Sequence, residues 1–423
     1  VAMRLASTLI ALLIANDVSS PALSFHLPLL SPNAGRVATS RHGADARGAM
    51  RREWCLGAPP ALRSGHIVRL AASASDDWLV ESAGVPVGRV VRAEGGTTAA
   101  AVACWREAVA AAEAGAAPAV AVVLPGVDPE VPMEIAALMM ELSPAQGAVA
   151  AEDAVDWDVR VLSAAPEPTL LIHMKGSAIP APAEAAAPLR EVETQRIQNW
   201  VQRVIIGMKV CPFTQSVNLA ATGLEKVGVY PGGIYYPYSS ATSLIHSLGA
   251  TWEALDRMLA APPAEISTVL LVLPRYSPDD HARFATASNL LARGLTSIGV
   301  DKQVSAVFFH PFYDRNRVDP PDAPTHGHLP PHSFILQMLL NFFDLEEIET
   351  FDKKLEQNDF SRRSPYPMIN LLRSEQVEAA EQLTSGLKVY CANARKMALS
   401  DRQDLVRELA KDMTATAPRP AAK

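Results

Sequence analysis

The sequence predicts an α/β protein built from two similar βαβαβ-type halves with largely parallel sheets. Three observations predict it. Short apolar runs alternate with segments whose apolar residues recur at helical spacing. The same order of elements recurs on either side of the Ala/Pro-rich stretch GSAIPAPAEAAAP. The closest local match sets WREAVAAAEAGAAPAVAVVLPGVDP beside WEALDRMLAAPPAEISTVLLVLPRYSP, each a Trp-bearing helix followed by an apolar strand that stops at proline.

Taken in order, residues 87–92 read as a strand and residues 98–114 as a helix around Trp105. Residues 119–124 read as a buried strand, 133–142 as a helix and 159–163 as a strand. Downstream, residues 226–230 read as a strand and 242–259 as a helix around Trp252. Residues 268–273 follow as a strand ending at Pro274, then 281–295 as a helix and 303–309 as a strand. An internal duplication explains the repeat; two unrelated βαβ units in an Ala-rich chain explain it equally, and both stay open. The expected organisation is a presequence over 1–75, a degenerate α/β half over 76–175 and a linker over 176–190. A second α/β domain follows over 191–400, with an insertion near 314–357, then a terminal helix and tail over 401–423.

The chain has 423 residues, a net charge of -7 and no basic stripe, which argues against nucleic acid as a partner. Its four cysteines are scattered without a CxxC pair, so neither a disulfide framework nor a structural zinc site is expected. No apolar run is long enough to span a bilayer, so no membrane association of the mature form is expected. There is no Walker loop and no GxGxxG after a strand, and no cofactor is implied. The oligomeric state is left open.

Met3 and Arg4 precede the apolar run 5–15, too short for a membrane helix and of signal-peptide form. From Phe25 to about Ser75 the chain is rich in Arg, Ala and Ser, lacks lysine, and carries only Asp45 and Glu53 as acids. The two-part layout resembles the presequences of algae with extra plastid membranes, with Phe25 at the position of the aromatic after the first cleavage. It implies a plastid address, a secreted protein being the alternative.

Three motifs carry candidate chemistry. Gly207-Met208-Lys209-Val210-Cys211-Pro212-Phe213 ends a helix with an apolar stripe at Ile197, Trp200, Val201, Val204, Ile205 and Met208. Phe308-Phe309-His310-Pro311 ends a strand, and Arg362-Arg363-Ser364-Pro365-Tyr366-Pro367 leads through Asn370 to Leu371-Leu372-Arg373. In this order, CPF, FHP and RSPYP with LLR resemble the motifs of the domain-of-unknown-function 1415 family, over roughly the C-terminal half. Arg362 stands where that family usually has Asn, and Asn370 where it usually has His. The resemblance implies no reaction.

The residues themselves suggest one. His310, at a strand exit, has the side chain for general acid/base chemistry, and Tyr366 is a second catalytic candidate, held between two prolines. A helix beginning near Pro367 would offer free N–H groups to an anion beside Arg362, Arg363 and Ser364, with Arg373 one to two turns on. Cys211 is a weaker candidate as nucleophile, because a helix C-terminus disfavours the thiolate. His326, His328 and His332 sit close in sequence but lack an evident carboxylate partner, so no metal is assigned. The expectation is therefore a plastid hydrolase or group transferase acting on a small anionic metabolite. The alternative is a non-catalytic binding or assembly protein in which the motifs are structural.

Overall fold

Apolar residues recurring every second position build two five-stranded sheets in the computed structural model, which describes residues 67–70, 82–163, 165–321, 325–384 and 386–413. The first sheet comprises β1 (Ile67–Leu70), β2 (Val87–Ala93), β3 (Ala119–Val123), β4 (Trp157–Val161) and β5 (Thr169–Met174). The second comprises β6 (Leu219–Ala220), β7 (Gly232–Tyr235), β8 (Thr268–Val272), β9 (Val304–Phe309) and β10 (Met368–Arg373). Their orders are β1-β2-β3-β5-β4 and β6-β7-β8-β10-β9. Pairing sense agrees position by position: antiparallel, parallel, antiparallel, antiparallel.

The sheets are therefore mixed, which corrects the expectation of largely parallel ones. Among the named strands only β2–β3 and β7–β8 are parallel neighbours, each pair joined by a helical crossover, α1 (Thr97–Ala114) and α4 (Leu244–Ala260) respectively. In each half the last strand slots between the third and fourth, antiparallel to both. Two other expectations change. Residues 226–230 are not a strand: Glu225–Val227 forms one 3₁₀ turn, ended by Gly228 at φ 86°, and the strand follows at Gly232. Residues 368–373 are not the start of a helix but the strand β10 at the heart of the sheet.

The expected presequence lies outside the described residues except for Ile67–Leu70, which form the edge strand β1 and thus belong to the fold. The expected linker, 176–190, ends in α3 (Ala187–Trp200), which continues as a π-helical turn over Val201–Gly207.

One face of each sheet packs on helices. In the second half Val269, Leu271, Ala306, Phe308, Ile369 and Leu371 turn toward α4 and α5 (His281–Ser297) and join a core shared with the first half. The helices of the halves meet as like pairs, α1 on α4 and α2 (Glu130–Met140) on α5. Close approach depends on Gly249, where a Cβ would fall 2.6 Å from Val109 Cγ2. At the seam, buried Asp153 accepts hydrogen bonds from Arg283 Nε (2.6 Å) and from Leu244 N (2.8 Å), the first residue of α4. Among the described residues no helix is long and apolar enough to cross a membrane.

Candidate functional site

The opposite face of the second sheet builds the site. Strand alternation turns Thr268 and Leu270, Val307 and Phe309, and Asn370 and Leu372 away from the core helices, onto a cavity of about 310 Å³. α3 and its π-helical turn cover one side of this face with Trp200, Val201 and Ile205. A π-helical turn is a local irregularity often found at functional sites. The 3₁₀ stretch Asp352–Arg362 adds Asn358, Ser361 and Arg362, while α8 (Ser374–Leu383) and α9 (Gly386–Leu399) add Gln376, Tyr390 and Asn393. The expected insertion forms α6 (His332–Leu339) and α7 (Leu345–Phe351), whose small core packs against Cys391, Ala394 and Ala398 of α9. It thereby backs the cavity wall.

The cavity is mostly apolar, yet four lining residues carry buried polar atoms without a partner in the protein. They are Trp200 Nε1, Thr268 Oγ1, both amide atoms of Asn358, and Asn370 Oδ1. Trp200 and Asn358 are 0% and 1% exposed. Buried groups of this kind are normally hydrogen-bonded; others lie away from the cavity, on Trp105, His281 and Asn289 among them, so these atoms alone do not mark a ligand surface.

Arg362 supplies charge. Its side chain is 6% exposed, with one hydrogen bond to Gly327 O (3.2 Å) and its guanidinium carbon 5.5 Å from the centroid of the Phe309 ring. Among the described residues no carboxylate lies within 4.0 Å of it. A buried charge ordinarily has a counter-charge.

The other sequence candidates do not converge here. His310 is 0% exposed, and both its ring nitrogens are engaged: Nε2–H donates to Ser277 O (2.8 Å), while Nδ1 accepts from Phe312 N (3.1 Å). Burial pushes its pKa down to about 4, despite the Ser277 hydrogen bond and nearby Asp280 and Asp279. It is a neutral, satisfied ring beside His281 (centroids 5.1 Å apart) and Phe284 (5.2 Å), not a lining residue. Arg363 donates to Tyr313 O (3.1 Å), stacks on Phe360, and has its pKa lowered by burial. Ser364 Oγ donates to Tyr366 O (2.6 Å), and the Tyr366 hydroxyl accepts from Arg196 (2.8 Å). Burial raises the Tyr366 pKa.

Arg373 bonds Ile266 O (3.1 Å) together with Met258 O and Ala261 O (2.7 Å), at the C-terminal end of α4. Burial lowers its pKa as well. The expected anion site at a helix N-terminus is absent, because the 368–373 backbone pairs with β8 and β9. Cys211 lines the cavity and its Sγ accepts from Thr214 Oγ1 (3.4 Å), but His310 is not among the residues around it.

The three loop histidines also part company. His328 packs 4.8 Å from the Phe308 ring centroid, and His332 lies 3.7 Å from Asp359. Asp359 is thus the carboxylate partner that spacing along the chain did not reveal. Among the described residues no three His, Cys, Asp or Glu side chains are arranged for a metal.

Removing Arg373 should fray α4, whose last carbonyls it holds. Arg373→Ala is expected to destabilise by about 1–3 kcal/mol, because buried carbonyls lose charge-assisted partners. A urea midpoint unchanged from the wild type would refute this.

Comparison with known proteins finds a family likeness over part of the second half. Residues 192–338 match the model of the DUF1415 family, described as a protein of unknown function. The match takes in Cys211 and His310 and stops before the segment carrying Arg362 and Asn370. No curated protein and no solved structure matches the chain. Sequence reasoning missed Trp200, Thr268 and Asn358 as site residues. The detectable signal was phase: Thr268 and Asn370 are polar positions among the apolar residues of their strands, on the alternation opposite to the core.

Proposed function

We propose that the second half binds a small molecule with an apolar body and an anionic head, the head lying on Arg362 beside Asn358. The single observation that carries this reading is a buried guanidinium without a described carboxylate, on a cavity whose lining also holds unpartnered polar atoms. The volume suits a metabolite-sized ligand, and apolar walls with few polar groups are the usual make-up of such sites. Binding without catalysis is the better-supported reading, since His310 has no nitrogen to spare and lies off the cavity.

The first half is, in this reading, a degenerate copy that serves as scaffold. Support comes from the shared strand order and pairing sense and from the packing of like helices. The location we propose is the plastid, on the composition of residues 25–75, with secretion as the alternative. N-terminal sequencing of the mature protein tests it: an intact Met3 start would refute it.

The binding test is a thermal-shift titration with decanoate and 1-decanol. Decanoate should stabilise the wild type, reaching about 2.7 kcal/mol at a hundredfold excess over Kd. The alcohol should bind at least tenfold more weakly, because it cannot form the charge-assisted pair with Arg362. Arg362→Gln should remove the preference for the acid. Equal binding of acid and alcohol to the wild type would sink the anion site.

A further inference from the structure

We propose that the outer side of the α6–α7 insertion is a docking surface for a basic amphipathic helix of a partner protein. None of its residues lines the cavity, and it does not depend on the anion site. The fold uses only one side of the insertion: Ile335, Met338, Leu339 and Ile348 pack with Cys391 and Ala394 of α9. The other side is apolar too. Among the described residues twelve large apolar side chains are exposed, and four of them, Phe334, Leu340, Phe342 and Leu345, fall between positions 334 and 345. Single exposed apolar residues are ordinary, but several gathered in one short segment mark a contact surface.

Local structure groups these side chains. Helical spacing puts Phe334 and Leu340 on the outward face of α6, with Gln337 between them. The chain then turns at once, Phe342 N and Phe343 N both donating to Leu339 O at 2.9 and 3.0 Å. Phe342 is left exposed, while Phe343 is half-buried and lines a shallow hollow with Ala392 and the exposed Leu399 of α9. Asp344 caps α7 by accepting from Glu347 N (2.9 Å), and Leu345 follows at 60% exposure. An apolar ridge beside a hollow suits the one-sided apolar stripe of a helix.

Charge selects the partner. Residues 333–352 contain Asp344, Glu346, Glu347, Glu349 and Asp352 and no lysine, arginine or histidine. Glu346 and Glu349 are exposed, and Glu349 lies one turn on from Leu345, on the same face of α7. The cations bordering the hollow are engaged within the protein. Arg395 pairs with Glu347 and lies over the Phe343 ring, and Lys396 donates to Met208 O (2.6 Å) and Lys209 O (2.9 Å). A protein that covers the apolar residues must therefore meet the carboxylates with lysine or arginine. The same carboxylates disfavour an anionic lipid surface, which attracts basic segments. A second copy meeting this face across a two-fold axis would set like charges against each other.

The test titrates the full chain with two fluorescent amphipathic peptides of about 18 residues, five helical turns each. One is built of leucine and lysine, the other of leucine and glutamate in the same pattern. The lysine peptide should bind at least about tenfold more tightly than the glutamate peptide, and should weaken as salt is raised. Phe342→Ser with Leu345→Ser should lower its affinity about tenfold, through the loss of two apolar anchors. Glu346→Lys with Glu349→Lys should reverse the preference between the peptides. All four positions are exposed, so both variants should keep the wild-type urea midpoint. Failure of the lysine peptide to bind, equal binding of the two peptides, or binding that both variants leave unchanged would overturn the proposal. So would attachment to phosphatidylcholine vesicles, or self-association, that Phe342→Ser with Leu345→Ser abolishes while the lysine peptide does not bind. The face would then belong to a membrane or to a second copy.

Discussion

Asp153→Ala is expected to destabilise the protein by about 2–4 kcal/mol, the effect of removing one partner of a buried ion pair together with the acceptor of a helix N–H. Asp153 belongs to the first half and is 3% exposed, yet all its described side-chain partners are in the second. Arg283 reaches it with Nε at 2.6 Å and a terminal nitrogen at 2.7 Å, and the Tyr276 hydroxyl lies at 3.3 Å. It also caps α4: Ser243, the residue before that helix, makes no side-chain cap, and Leu244 N donates to Asp153 at 2.8 Å. Loss of the carboxylate strands a phenol and a helix N–H at one seam and leaves Arg283 only its longer contacts, Glu152 at 3.7 Å and Thr242 O at 3.4 Å. Asp153→Asn, which keeps acceptor geometry without charge, should cost less. Urea denaturation distinguishes the outcomes, and a loss below about 1 kcal/mol for the alanine variant would refute the account. By contrast the exposed Arg293–Glu141 pair, whose arginine is 58% exposed, should contribute at most about 1 kcal/mol.

Much of the scaffold was legible because local pattern and tertiary role agree in it. The Trp105 and Trp252 helices and the strands around Val122 and Leu271 sit within a residue or two of expectation, since each repeats one hydrophobic period long enough to be read. Met368–Arg373 was not legible. Its Leu-rich sequence suits a helix, and only pairing with β8 on one side and β9 on the other makes it a strand. That single displacement moved the expected site. With 368–373 helical, Arg362 and Arg363 appeared to flank one anion site; with it extended, Arg362 reaches the cavity and Arg363 turns to Phe360 and Tyr313. His310 misled for a related reason. Strand exits host ligands in parallel sheets, but this sheet is mixed and its cavity lies on a face of the sheet, without His310 in its lining.

The imidazole that carries no catalysis in this reading should instead set the acid limit of the fold. His281 and His310 are buried against each other, and burial pushes their pKa values down to about 3 and about 4. His328 is shifted the same way, by burial and then by the Arg362 charge. A histidine with a depressed folded pKa stays neutral in the native state while the unfolded chain takes up its proton below pH 6.5. Its contribution is intact above that value and is lost as pH falls toward the folded pKa.

At pH 5 each of the first two histidines should cost about 2 kcal/mol relative to neutral pH, or about 4 kcal/mol together, a large share of a typical net stability. His332 acts in the opposite sense, its pKa raised by Asp359, and His328 counters it. Urea midpoints measured from pH 7 to pH 5 should therefore fall steadily. His281→Phe keeps a ring against Tyr313 and His310 and removes one proton site, so its profile should be shallower by about 2 kcal/mol over the same window. A flat wild-type profile between pH 7 and pH 5 would mean that these rings reach water and titrate normally. It would then also reopen His310 as an acid or base.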